Sequence, residues 1–440
     1  MKLKTLLFSV LCLSLIALAG GCSDDSDGTT PSTDTGSGDT TTTFTWPANT
    51  GEVVNTYAEI VKASYADSVA TAQTLDGALE ALVNAPSEAN LTAARDAWLA
   101  SREPYLQTEV YRFYNGPIDN EDNGPEGLLN AWPLDENYID YVKGDAAAGI
   151  VNGSETIDAS TLESLNEKGG EANIATGYHA IEFLLWGQDM SETGAGNRSY
   201  IDYMDNSDPS GCYSGPPSHQ CTCGGAEMDC AAPGVWKDTC NCPINADRRG
   251  TYLTVAGDLL ITHLLQVHDA WDAGSATDYV TGFKADTAGA IEKILTGMII
   301  LSGFETGGER LQAALDSKNQ EDEHSCFSDN THRDMVQDVQ GVWNVWAGTY
   351  TRTDGTKVEG AGIKDIVTAV NADLATKVDI RITESLALAK ALQIPFDKEI
   401  AEGNTEGNAR VEALVMSLLA QEKELEEVFD LFGLTIPVAE

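Results

Sequence analysis

From about residue 50 onward, apolar residues recur at helical spacing and period-two alternation is almost absent. The pattern predicts a first helix over 53–83, rich in Ala and Leu, stopped by Asn84-Ala85-Pro86. A second is expected over 87–114, with Ser87-x-x-Asn90 near its start and Pro104 kinking or splitting it. Residues 115–135 are a loop punctuated by Gly and Pro, and helical pattern resumes over 173–187. Further helices are expected over 252–271, 283–304, 309–316, 334–350, 362–392 and 409–432. The predicted class is all-α. Its natural organisation is a first helical bundle over 49–189, an irregular cysteine-rich insert over 190–248 and a second bundle over 249–440.

The amino terminus departs from this pattern. Lys2 and Lys4 precede an apolar stretch over 6–19, too short for a stable span and suited to an export signal covering residues 1–21. The run Leu18-Ala19-Gly20-Gly21-Cys22 resembles a bacterial lipobox, which makes Cys22 the expected lipidation site. A rival cut at Ala17-Leu18-Ala19 would release a soluble protein instead. Residues 22–48 are mostly Ser, Thr, Asp and Gly and read as a disordered tether. Both cuts imply export. The lipoprotein reading puts the chain in the cell envelope, as an outer-membrane lipoprotein facing the periplasm or the exterior. No later segment looks able to span a membrane; the best, 294–304, reads as a buried helix at most.

Charge narrows the partners. The 26 basic and 69 acidic residues leave a formal net charge of −43. A surface so negative repels phosphate backbones and anionic headgroups, so nucleic acid is excluded and membrane contact is expected only through the lipid anchor. The same surface could concentrate cations.

Within this background three constellations carry candidate chemistry. The segment Gly177-Tyr178-His179-Ala180-Ile181-Glu182-Phe183-Leu184-Leu185-Trp186 is apolar nearly all round apart from His179 and Glu182. A buried carboxylate is costly unless paired, and these two residues at i and i+3 project from one face. A nitrogen and an oxygen donor so placed suit a metal; a structural His–Glu hydrogen bond suits the spacing equally well. The run 321–334 holds His324, Asp329 and His332, which could complete a metal site. There Thr331 and Asp334 are expected to form a capping box for the helix that follows. The third is a stripe of Trp98, Arg102, Tyr105, Glu109 and Arg112, where a Glu109–Arg pair could line a polar cavity, although salt bridging with aromatic packing explains it more simply.

Two weaker signals remain. Asp119-Asn120-Glu121-Asp122-Asn123-Gly124 resembles the start of a calcium loop, but position twelve is Asn130. In the insert, Cys212, Cys221, Cys223, Cys230, Cys240 and Cys242 are spaced as disulfide candidates of an oxidising compartment, and pairing of these six among themselves would leave Cys326 as a free thiol. There is no C-x-x-C-H, H-E-x-x-H, G-x-S-x-G or phosphate-cradling glycine loop.

Residues 177–189, GYHAIEFLLWGQD, resemble the G-x-H-x-x-E motif of the imelysin family, the insulin-cleaving metalloprotease-like proteins. The stretches 102–120, 130–141 and 321–334 are similar to its iron-regulated protein A branch. The resemblance implies two helical bundles related by duplication, in exported, often lipid-anchored proteins linked to iron uptake. It also implies an interface site built on His179 and Glu182, with iron suspected and zinc or another divalent metal as alternative. A metal ion or small metal chelate, handed to or from envelope iron-transport partners, is the implied cargo. A zinc peptidase needs an open ligand position and a separate general base, and one helix supplies only two groups. Metal binding is therefore favoured over metallopeptidase activity at the same residues, and a non-catalytic scaffold is the third reading.

Overall fold

The long helices that organise the body are α1 (Thr50–Asn84), α2 (Glu88–Leu106), α3 (Gly177–Trp186), α4 (Ala246–Ala270), α5 (Thr287–Ile300), α6 (Thr331–Ala347), α7 (Ala372–Ala389) and α8 (Thr405–Phe432). The computed structural model describes residues 44–191, 193–204, 221–223, 226–228 and 245–435. The signal segment, Cys22, Cys212, Cys230, Cys240 and Cys242 lie outside the described residues. Of Cys221 and Cys223 only the backbone is described, where Cys221–Cys223 pairs antiparallel with Ala226–Met228. The other described strands are Thr349–Thr351 and Lys357–Glu359, a hairpin the sequence pattern did not predict. The class is all-α.

Local chemistry explains the boundaries. Ser87 caps α2, its hydroxyl accepting from the Asn90 amide at 3.2 Å. Pro104 lies inside α2, and the helix ends two residues later rather than continuing to Tyr114. A separate 3₁₀ turn, Glu109–Tyr111, follows. Helix α5 continues into a wider π-type stretch, Leu301–Gln312, and closes with Ala313–Ser317. The sequence reading divides this segment in two. As one helix, Thr287–Ser317 is long and apolar enough by length and composition to cross a membrane, but 61% of its most apolar window is buried within the body.

Packing defines two cores among the described residues. The larger joins α1 to α5 through residues such as Tyr65, Leu75, Trp98, Phe183, Leu260 and Ile294. The smaller lies where the π stretch, α6, α7 and α8 meet, at Leu311, Met335, Val339, Phe396 and Leu414. Helix α4, assigned by sequence to the second bundle, packs on α1 and α3. The body also begins earlier than the expected end of the tether. Phe44 and Trp46 pack on Phe432, with ring centroids 5.4 and 5.0 Å from it. Two aromatic rings within three residues provide enough apolar surface to hold the chain down.

Candidate functional site

Helix α3 is buried along its whole length, so its terminal carbonyls must find partners inside the protein. All four do. The Phe183 carbonyl accepts from the Gly187 amide and that of Trp186 from the Arg198 amide, both at 2.7 Å. The Tyr203 hydroxyl donates to Leu184 O at 2.6 Å, and Arg95 donates to Leu185 O at 3.1 and 2.9 Å. At the other end Gly177 has φ +82°, and a Cβ there would stand 2.5 Å from the Leu129 carbonyl oxygen. Both conditions require glycine. Gly177→Ala is therefore expected to destabilise the protein by roughly 1–3 kcal/mol. A urea midpoint unchanged from wild type would contradict this.

Inside this rigid helix, His179 and Glu182 face one another. His179 Nδ1 lies 2.8 Å from Glu182 Oε2. The other carboxylate oxygen, Oε1, accepts from the Ser328 amide at 2.9 Å and its hydroxyl at 2.6 Å. Both Glu182 oxygens are thus engaged, while His179 Nε2 is buried without a hydrogen-bond partner. Burial pushes Glu182 up to about 8 despite the Ser328 donors. Burial, aided by Arg102, holds His179 well below the usual imidazole range. The ring is neutral, which is the ligand form.

A second imidazole repeats the arrangement. His324 Nδ1 lies 2.7 Å from Asp334 Oδ2, and the His324 ring centroid is 5.2 Å from that of His179. Burial, with Arg310 nearby, lowers His324 to about 3. Asp334 does not form the expected capping box; α6 has no side-chain cap at Asn330. Its Oδ2 instead accepts from Arg102 at 3.3 Å and Ser325 Oγ at 2.5 Å, besides facing His324. Thr331 Oγ1 accepts from the Ser325 amide at 3.0 Å. Both residues of the expected cap thus hold the 321–330 loop rather than the helix end. Burial opposes ionisation of Asp334, but Arg102 and His324 outweigh it and keep the carboxyl far below its ordinary range.

Of the aromatic and charged stripe, Arg102 reaches this site through Asp334. Arg102 is fully buried, with its guanidinium 5.0 Å from the Tyr178 ring centroid and 5.4 Å from that of Trp98. It also donates to Asn130 Oδ1 at 2.5 Å. Glu109 Oε2 accepts from Arg112 at 2.7 Å and Arg310 at 2.5 Å. Burial would raise Glu109, but the two arginines hold it far below the ordinary carboxylate range. Arg310 also donates to Asp338 Oδ2 at 2.9 Å. Glu109 and Arg112 therefore form an ion network outside the two imidazoles.

Asp329 and His332 lie elsewhere. His332 is half-buried, with Nδ1 3.2 Å from the Asp329 carbonyl oxygen. The Asp329 carboxylate joins Asp189 and Asp397. Sequence reasoning singled out neither Trp132, whose ring is 4.9 Å from His179, nor Ser328, Asn130 or Arg310. Ser328 lies inside the flagged 321–334 run; Arg310 carries no local signal. Cys326 is a buried free thiol, raised well above its usual range by burial.

Two neutral imidazoles, each held at Nδ1 by a carboxylate, are a donor set suited to iron, zinc or copper. Known proteins share this fold. A curated relative, the iron-regulated protein A of Synechococcus elongatus, is 23% identical over 345 residues, spanning 78% of this chain and 76% of its own. A crystal structure of an iron-regulated protein A precursor from Parabacteroides distasonis superposes with a TM-score of 0.60 at 16% identity, covering 88% of this chain and 96% of that one. An imelysin-like protein from Psychrobacter arcticum gives 0.59 at 12% identity, covering 90% and 99%. These structural likenesses show a shared fold. Residues 61–425 match the imelysin family, peptidase M75, and the chain belongs to it.

Proposed function

We propose that this is an exported protein, anchored through Cys22, that binds iron or a related metal species as cargo at His179 and His324. The observation that carries the reading is the pair of buried, neutral imidazoles with Nδ1 held by Glu182 and Asp334, His179 Nε2 being buried without a partner. A carboxylate on one imidazole nitrogen orients the ring and strengthens the other as a ligand. With both its oxygens engaged, Glu182 is assigned the orienting role here, where the sequence reading made it a direct ligand. The same engagement disfavours a peptidase, since Glu182 is not free to act as base on a metal-bound water. The iron-regulated relatives, one of them a precursor, support both the cargo and the export.

Elemental analysis of protein purified without a metal-affinity tag, followed by titration with Fe(II) and Zn(II), tests the reading. His179→Ala and His324→Ala should each abolish binding, and Glu182→Gln should weaken it by about 10–100-fold. Unchanged melting curves across these metals, together with destabilised variants, would instead make both His–carboxylate pairs structural.

A further inference from the structure

Three carboxylates from distant parts of the chain converge beside the site. Asp189 follows α3 by three residues, Asp329 follows Ser328, and Asp397 lies on the short helix Phe396–Ile400. One oxygen from each lies within 4.8 Å of the others, and the residues are only 3%, 7% and 5% exposed. Glu323, fully buried, packs beside Asp397 as a fourth acid. Among the described residues, no Lys, Arg or His forms an ion pair with any of the four. Buried anions without a counter-charge are costly.

An independent observation indicates what compensates them. Asp397 meets only other acids, Asp329 and Glu323, within hydrogen-bond reach, and Asp189 Oδ2 is buried with no hydrogen-bond partner. Apart from the acids themselves, the only described donor to these three carboxylates is the Ser191 amide, 2.8 Å from Asp189 Oδ1. We infer that Asp189, Asp329 and Asp397 bind a calcium-sized divalent cation. A buried carboxylate cage suits Ca²⁺, which takes its oxygen ligands in flexible geometry, whereas Mg²⁺ dehydrates reluctantly and keeps several waters. An all-carboxylate donor set selects a hard cation over iron or zinc.

The cation ties the end of α3, the 321–330 loop and the Phe396–Ile400 helix together. Ser328, next to Asp329, donates twice to Glu182, so the bound cation fixes the loop that clamps the motif carboxylate. This last link rests on the proposed function; cation binding itself does not.

The test uses the full chain, stripped with chelator and titrated at pH 7 with Ca²⁺ or Mg²⁺ as the only added metal. One Ca²⁺ per chain should bind, raising Tm by about 3 °C at a hundredfold excess over Kd. Mg²⁺ at the same concentration should do much less. Asp397→Asn should raise the Tm of the stripped protein, by removing a repelling charge, and abolish the response to Ca²⁺. Asp189→Asn should do the same, which guards against one variant that folds poorly. A Tm indifferent to Ca²⁺ would overturn the inference and assign shared protons to the cluster. A Ca²⁺ response that survives both variants would place the cation elsewhere. Fe(II) and Zn(II) titrations report on His179 separately, so either proposal can fail alone.

Discussion

Arg102→Met is expected to lower the free energy of unfolding by about 3–5 kcal/mol, because it leaves a buried carboxylate without its main counter-charge. Arg102 and Asp334 are both fully buried and 3.3 Å apart, and Arg102 is the only arginine or lysine paired with Asp334 among the described residues. Methionine keeps much of the contact with Trp98, Tyr105 and Tyr178, so the loss is chiefly electrostatic. The double variant Arg102→Met/Asp334→Asn should recover part of it, because the amide needs no counter-charge. Urea denaturation of the wild type and the two variants checks this. A single variant within 1 kcal/mol of wild type, or a double variant less stable than the single, would refute the account.

Stability should fall as pH rises from 6.5 to 8 in the presence of chelator. Burial raises Glu136, Asp189 and Asp338 to about 7, and Glu182 and Asp329 to about 8. In the unfolded chain the same carboxyls titrate near 4. Across this window the native state therefore holds more protons, and stability drops with increasing pH by about 1.4 kcal/mol per unit for each net proton. The buried histidines act in the opposite sense. His179, His324 and His332 are lowered chiefly by burial, so below about 6.5 the unfolded state takes up protons that they refuse. The gain on acidification should flatten there. Denaturant midpoints at pH 5.5, 6.5 and 8 report the curve, and a midpoint highest at pH 8 would show that these carboxyls are solvated.

Much of α3 was legible because its evidence is local: an apolar decamer, a leading glycine and two polar residues at i and i+3. The 321–334 run was legible as a concentration of histidines and acids, but its internal logic was not. A Thr-x-x-Asp ahead of a helix signals a cap, and only the fold brings Arg102 and His324 to Asp334 to compete for it. The acidic cluster was invisible for a similar reason, since Asp189 and Asp397 are unrelated in sequence. Arg310 escaped notice because the π stretch that carries it disrupts the ordinary helical period. Phe44 and Trp46 were lost against the polar composition around them.

The packing of those two aromatics on Phe432 sets how the body carries mechanical load. Any pull applied ahead of Phe44 would meet the Phe44 and Trp46 contacts with Phe432 first and pass through them to the carboxyl-terminal end of α8. The hydrogen bonds of α1 lie along its axis, and a direct pull on its first turn would open them one by one. The aromatic contact takes the strain ahead of that turn and shares it between the two ends of the folded chain. Parting of the three rings is therefore expected to precede fraying of α1.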